Sequence, residues 1–104
     1  MTSTKLTWML LLTKEQLENV YQMAYRLFTP KDIAIALHLP VEEFEDNVAV
    51  QGTPVHDKFY DGRLQQVSEI RESMIKAAKN GSNPAQEKLL ELLLSKNDDV
   101  ILNF

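Results

Sequence analysis

From Thr13 onward, Leu17, Val20, Tyr21, Ala24, Leu27 and Phe28 recur at helical spacing and predict an amphipathic helix with one broad apolar face. Thr13 followed by Gln16 three residues later is a capping-box pattern for its start. Thr29-Pro30 then opens a second short helix, with Asp32 near its positive end and Ile33, Ala34 and Leu37 on one side. After a tight turn at His38-Leu39-Pro40, a third helix is predicted from Val41 to about Val48. Val41, Phe44 and Val48 face inward there, and Glu42, Glu43, Glu45 and Asp46 cover the rest.

The stretch Asp32–Glu45 has the outline of a helix-turn-helix. Small Ala34 lets the two helices cross closely, while Leu37, Leu39 and Phe44 fill the angle between them. His38 stands where such turns usually carry glycine at positive φ, a conformation histidine tolerates better than most residues. Beyond a loop at 49–54, a long helix is expected from about Val55 to Lys79. Phe59, Leu64, Val67, Ile70, Met74 and Ala78 point to the core; Arg63, Glu69, Arg71, Glu72, Lys76 and Lys79 point to water. Gly62 permits a bend or close packing, and Asn80-Gly81 is a helix stop. Asn83-Pro84 reads as cap and first turn of a fifth helix ending near Lys96. Its stripe Leu89, Leu90, Leu92, Leu93 and Leu94 is wider than one small core requires, which suggests a subunit interface through Leu90 and Leu94, a well-buried helix being just as consistent with the pattern. The apolar tail Val100–Phe104 is expected to dock on this subunit or a neighbour, adding Ile101 and Phe104 to that interface. Lys5–Leu12 reads as a buried strand or a lead-in to the first helix, and its pairing with the tail as a two-stranded ribbon is compatible with the pattern. The expected fold is all-α, one helical domain over 1–104: a helix-turn-helix unit at 13–50, then a long helix and a leucine-rich helix at 54–96.

Composition narrows the function more by exclusion than by indication. With 104 residues, 44% apolar and 25% charged, the chain has ordinary globular composition and length for one modest core. The absence of cysteine excludes disulfides, thiolate metal sites and a cysteine nucleophile, and suits a reducing cytosol. Trp8–Leu12 is the longest apolar run and too short for a membrane span, and no small-residue cleavage site follows it; a cytoplasmic protein is expected. The net charge of −4 is unlike most nucleic-acid-binding domains, but the charge is unevenly placed. Residues 1–40 hold four Lys/Arg against three Asp/Glu, residues 41–62 hold six acids against Lys58 alone, and residues 63–104 balance at six each. The first two helices can face phosphate; the middle of the chain repels it.

Catalysis is not expected. His38 and His56 fit no metal-ligand spacing, and Gly52, Gly62 and Gly81 form no phosphate-cradling loop. No metal or other cofactor is implied, and the pairs Glu42/Glu43 and Asp98/Asp99 are better read as solvated faces than as cation sites. Trp8, Tyr21, Tyr25 and Tyr60 are the aromatics considered for base stacking, with Tyr21 and Trp8 more simply packed inside. The basic candidates for phosphate are Arg26, Lys31, Lys58 and Arg63. Lys31 leads them, because the start of the second helix of such a motif can lie beside the DNA backbone.

The order of motifs is also familiar. The helix-turn-helix is followed by Phe59-Tyr60-x-Gly62-Arg63, Ile70-Arg71, Ala77-Ala78-x-Asn80-Gly81-Ser82, Ala85 and a leucine-rich helix. Over roughly residues 15–95 this resembles the small terminase subunits of tailed phages and prophages. The resemblance implies an oligomeric adaptor that binds double-stranded packaging-site DNA and serves a large ATPase-nuclease subunit. It directs attention to Arg26, Lys31 and the exposed side of the third helix. One departure bears on that expectation: no Lys or Arg occurs between Val41 and Asp57, so the helix expected to read the groove is acidic. The competing expectation is a helical protein-interaction module in which the helix-turn-helix is only a scaffold.

Overall fold

Thr13 opens the first helix, α1 (Lys14–Tyr25), in the computed structural model, which describes residues 9–94. The Thr13 hydroxyl accepts from the Gln16 amide at 3.1 Å, and the Gln16 side chain accepts from the Thr13 amide at 2.9 Å, closing the capping box. Four further helices follow: α2 (Pro30–Ala36), α3 (Val41–Ala49), α4 (Pro54–Lys79) and α5 (Asn83–Leu94). The described residues are all-helical apart from their connections and contain no strand. Trp8, Ile101, Phe104 and the suggested terminal ribbon lie outside them. None of the described helices is long and apolar enough to cross a membrane.

The chain divides into two compact units, Met1–Arg63 and Leu64–Phe104. In the first, Val20, Ala24, Ile33, Ala34, Phe44, Val48, Val55 and Phe59 form the core, with Leu17, Leu37, Leu39 and Val41 packed against it. Ala34 of α2 is fully buried, and α2 and α3 are in contact. In the second unit Val67 is the buried hydrophobic residue among those described, and α5 has none. Ala85, Leu89 and Leu92 lie on its half-buried side; Leu90, Leu93 and Leu94 lie on the outer side. Leu64, expected in the core, is 52% exposed. The side chain and backbone of Ser82 accept from the amides of Ala85 and Gln86, so Ser82 rather than Asn83 caps α5. Gln86 Nε2 donates to the Ala78 carbonyl at 3.0 Å and ties the first turn of α5 to the last turn of α4.

Three helices end in the same way. After each, one residue takes the left-handed conformation, and its own amide and that of the next residue return to last-turn carbonyls, the Schellman arrangement. Leu27 (φ 69°) and Phe28 do this for Ala24 and Met23; His38 (φ 59°) and Leu39 for Ile35 and Ala34; Gly81 (φ 93°) and Ser82 for Ala78 and Ala77. The first stop corrects the expected run of α1 through Phe28, because leucine at the left-handed position gives no glycine-like signal. His38 is an exposed side chain in a conformation that costs an L-residue roughly 1–2 kcal/mol. His38→Gly should therefore raise stability by about 0.5–1 kcal/mol after glycine's larger unfolded-state entropy is counted. Gly81→Ala, where an added Cβ meets nothing within 4 Å, should lower it through backbone strain alone. Urea melts of both variants test the pair; the same sign for both would contradict it.

Candidate nucleic-acid interface

Two exposed basic residues of the first unit, Arg26 and Lys31, flank the turn between α1 and α2. Arg26 is the C-cap of α1, and Lys31 is the second residue of α2; both side chains are exposed. Thr29 caps α2 by accepting from the Asp32 amide at 3.2 Å, and Pro30 supplies the first turn without an amide that would need a partner. Between the two cations, Phe28 is 41% exposed. It was expected on the inward face of α1, but the left-handed Leu27 swings the chain out of the helix one residue earlier.

Below this turn, α4 makes its closest approach to α1. Gly62 is buried, and a Cβ built there would lie 3.0 Å from the Tyr25 nitrogen and 3.1 Å from Ala24 Cβ, and closer still to the Tyr21 carbonyl oxygen. The missing side chain is what lets the two helices touch. Arg63, the next residue, is also buried, at 4% exposure, although its charge predicted a water-facing or phosphate-facing position. Its Nη2 donates to the Phe28 carbonyl oxygen at 2.7 Å, and its guanidinium sits 4.9 Å from the centre of the Phe59 ring. Burial pulls its pKa below the ordinary arginine value, with nearby Tyr60 acting in the opposite direction. Arginine nonetheless keeps its charge across the physiological range. Arg63 therefore leaves the set of direct phosphate candidates: it is a strut that holds the turn bearing Arg26 and Lys31.

Lys58 is half-buried near the start of α4, on the helix that carries a small aromatic group. His56 and Tyr60 have ring centres 4.6 Å apart, and Phe59 meets Tyr60 edge-on at 5.2 Å. Tyr21, Tyr25 and Tyr60 are all half-buried, so Phe28 is the most exposed aromatic of the described residues. It was not among the stacking candidates. Thr29-Pro30 was the available signal, since a residue preceding proline is pushed out of helical geometry and a helix cannot run smoothly through it.

The third helix presents a different surface. Glu42, Glu43, Glu45 and Asp46 are exposed, while Phe44, Asn47 and Val48 are buried. Pro40 caps α3 without a side-chain hydrogen bond, and Glu42 and Glu43 lie in the first turn, where carboxylates offset the unsatisfied amides. Buried Asn47 accepts from the Leu10 amide at 3.0 Å and donates to the Glu43 carbonyl at 2.8 Å. Thr53 donates to the Asn47 carbonyl at 2.7 Å and accepts from the His56 amide, while His56 Nδ1 is 2.6 Å from the Val48 carbonyl. These bonds fix the α3–α4 corner from inside and leave the carboxylates outside.

Comparison with protein-family models, curated proteins and solved structures finds no match for this chain. Arguments about its function rest on its own geometry. The strut can be tested directly. Arg63→Met keeps much of the aliphatic packing but leaves the Phe28 carbonyl without its charged donor, and should cost about 1.5–3 kcal/mol. Thermal melts of this variant and of Arg63→Lys read the loss; a melt unchanged from wild type would remove the strut assignment.

Proposed function

We propose that this chain is a non-catalytic, oligomeric DNA-binding adaptor of the kind found among phage small terminase subunits. In this reading α2, the His38 turn and α3 form a helix-turn-helix, and the second unit drives self-association. The adaptor would present duplex DNA to a large ATPase-nuclease subunit. The observation that carries the reading is the pair Arg26 and Lys31, exposed at either end of a turn whose backbone is anchored by buried Arg63. Rigid presentation of two cations lowers the ordering cost of phosphate contacts. DNA is met along this turn and the start of α2, with Lys58 a subsidiary contact. The outer face of α3 is kept away from phosphate by its four carboxylates.

Arg26→Glu and Lys31→Glu should each weaken duplex binding by roughly three- to tenfold at low salt, and each should reduce the salt dependence by about one phosphate contact. Fluorescence anisotropy on one labelled duplex over a salt series measures both quantities. Charge reversals that leave a measurable wild-type affinity unaltered would place the interface elsewhere.

Self-association rests on the second unit. Leu90, Leu93 and Leu94 are 56%, 81% and 71% exposed, and α5 carries no buried residue of its own. Helices of this length are marginal alone, and covering each exposed leucine is worth about 1.5–3 kcal/mol. Leu90→Glu and Leu94→Glu are expected to dissociate the assembly in light-scattering mass measurements; a strictly monomeric wild type would defeat this part. The second reading, a protein-interaction module that uses α3 on a basic partner, is favoured by the exposed carboxylates of that helix. A stable oligomer with no DNA affinity at low salt would select it.

A further inference from the structure

Resting on the assignment of the α1–α2 turn as a DNA contact, we propose that the Phe28 ring stacks on an unpaired base. The turn then meets the duplex of the proposed function where a base is unpaired, as at its end, and Arg26 and Lys31 take the flanking phosphates. Phe28 is held by its backbone from two sides: its amide donates to the Met23 carbonyl at 3.1 Å, and its carbonyl accepts from Arg63 Nη2 at 2.7 Å. A residue fixed this firmly ordinarily places an aromatic ring in the core, yet Phe28 as a residue stays 41% exposed. An apolar residue two positions past a helix end commonly packs back on the last turn, which accounts for the covered part of the ring. The remaining surface is apolar and pre-positioned, with few rotamers left to lose on binding.

The extent of cover also decides the form of the DNA. A wedge driven between two stacked base pairs needs both faces of its ring. Phe28, with more than half of its residue surface covered, has room for one unstacked base rather than for a partner on each side of its ring. The charges nearby fit a polyanion: Arg26 and Lys31 are exposed on either side, and Asp32 is the one acid between Arg26 and Leu37. An acidic protein segment would engage the cations as well, but would have no π-face for the ring.

The test compares a single-stranded thymidine oligonucleotide, an abasic strand of equal length and a blunt duplex, with the full chain at low salt. Wild type should bind the thymidine strand about tenfold more tightly than the abasic strand. Phe28→Leu should erase that ratio while leaving abasic and duplex affinities in place, and Phe28→Tyr should restore it. Circular-dichroism melts establish that both variants fold. In a Trp8→Phe background, Phe28→Trp should show fluorescence quenching by the thymidine strand and not by the abasic one. A thymidine-to-abasic ratio near one, or a ratio unchanged in Phe28→Leu, overturns stacking while Lys31-dependent duplex binding keeps the DNA assignment. No binding to any of the three overturns both.

Discussion

The first unit depends on one contact, the seating of α4 on α1 at Gly62 and Arg63. Gly62 removes the atoms that would hold the helices apart, and the backbone of Tyr21 and Tyr25 fills the space. That closeness carries the neighbouring guanidinium under the α1–α2 turn, where it reaches the Phe28 carbonyl. A buried arginine is costly to desolvate, and its cost is offset only when donors find partners and the charge finds a polarisable neighbour. The carbonyl and the Phe59 ring supply these. The position thus demands a long cation; an apolar side chain would fill volume and still leave the carbonyl unanswered.

A second joint, at the C-terminal end of α3, adds hydrogen bonds to the apolar packing of Val48 and Val55. Asn47 serves as both donor and acceptor, gripping the lead-in at Leu10 and its own helix at Glu43, and Thr53 reverses the chain into α4. Both joints place polar side chains inside and tie them to backbone groups of another segment, which fixes a geometry more sharply than apolar contact does. The acidity of α3 follows from the same arrangement. Its inward positions are occupied by Phe44, Asn47 and Val48, its start has no side-chain cap, and carboxylates in the first turn complement the exposed amides. Part of the negative surface is thus a consequence of folding, independent of any partner.

Helix existence was legible because periodicity and caps agreed: Thr13 with Gln16, Thr29 with Pro30, and Gly81 each left a local mark. His38 was legible too, since the turn required positive φ and histidine accepts it. The errors share a physical origin. Leu27 adopts a left-handed conformation for which its side chain is a poor predictor, so α1 was extended and Phe28 turned inward. Arg63 was assigned to solvent by its charge, although its spacing from Phe59 puts both on one helix face. Asn47 escaped notice because amphipathic patterning scores polarity as outside, and only three-dimensional pairing reveals a satisfied polar core. Leu64 was placed inside by type alone. In the candidate interface, Arg26 and Lys31 were visible as charges, but the rigidity that makes them a presented pair depends on contacts 35 residues apart, from Arg63 to Phe28.

These features bear on how an acidic chain can approach a polyanion. A net charge of −4 does not prohibit the encounter, since screening limits the reach of α3's carboxylates to about 8–10 Å at physiological salt. What matters is the charge that comes within that distance of phosphate. A turn braced by a buried strut, with cations at its ends and four carboxylates on α3, would confine attraction to one narrow edge on the proposed reading. Such an edge would suit few phosphates and give weak single-copy binding. If the chain binds DNA as proposed, affinity would come from repetition, and the exposed leucines of α5 would offer the means, because linked copies convert several weak contacts into one strong engagement. On the proposed reading, DNA contact and self-association become one requirement: the charge distribution of the first unit would make multivalency necessary, and the exposed leucines of the second would supply it.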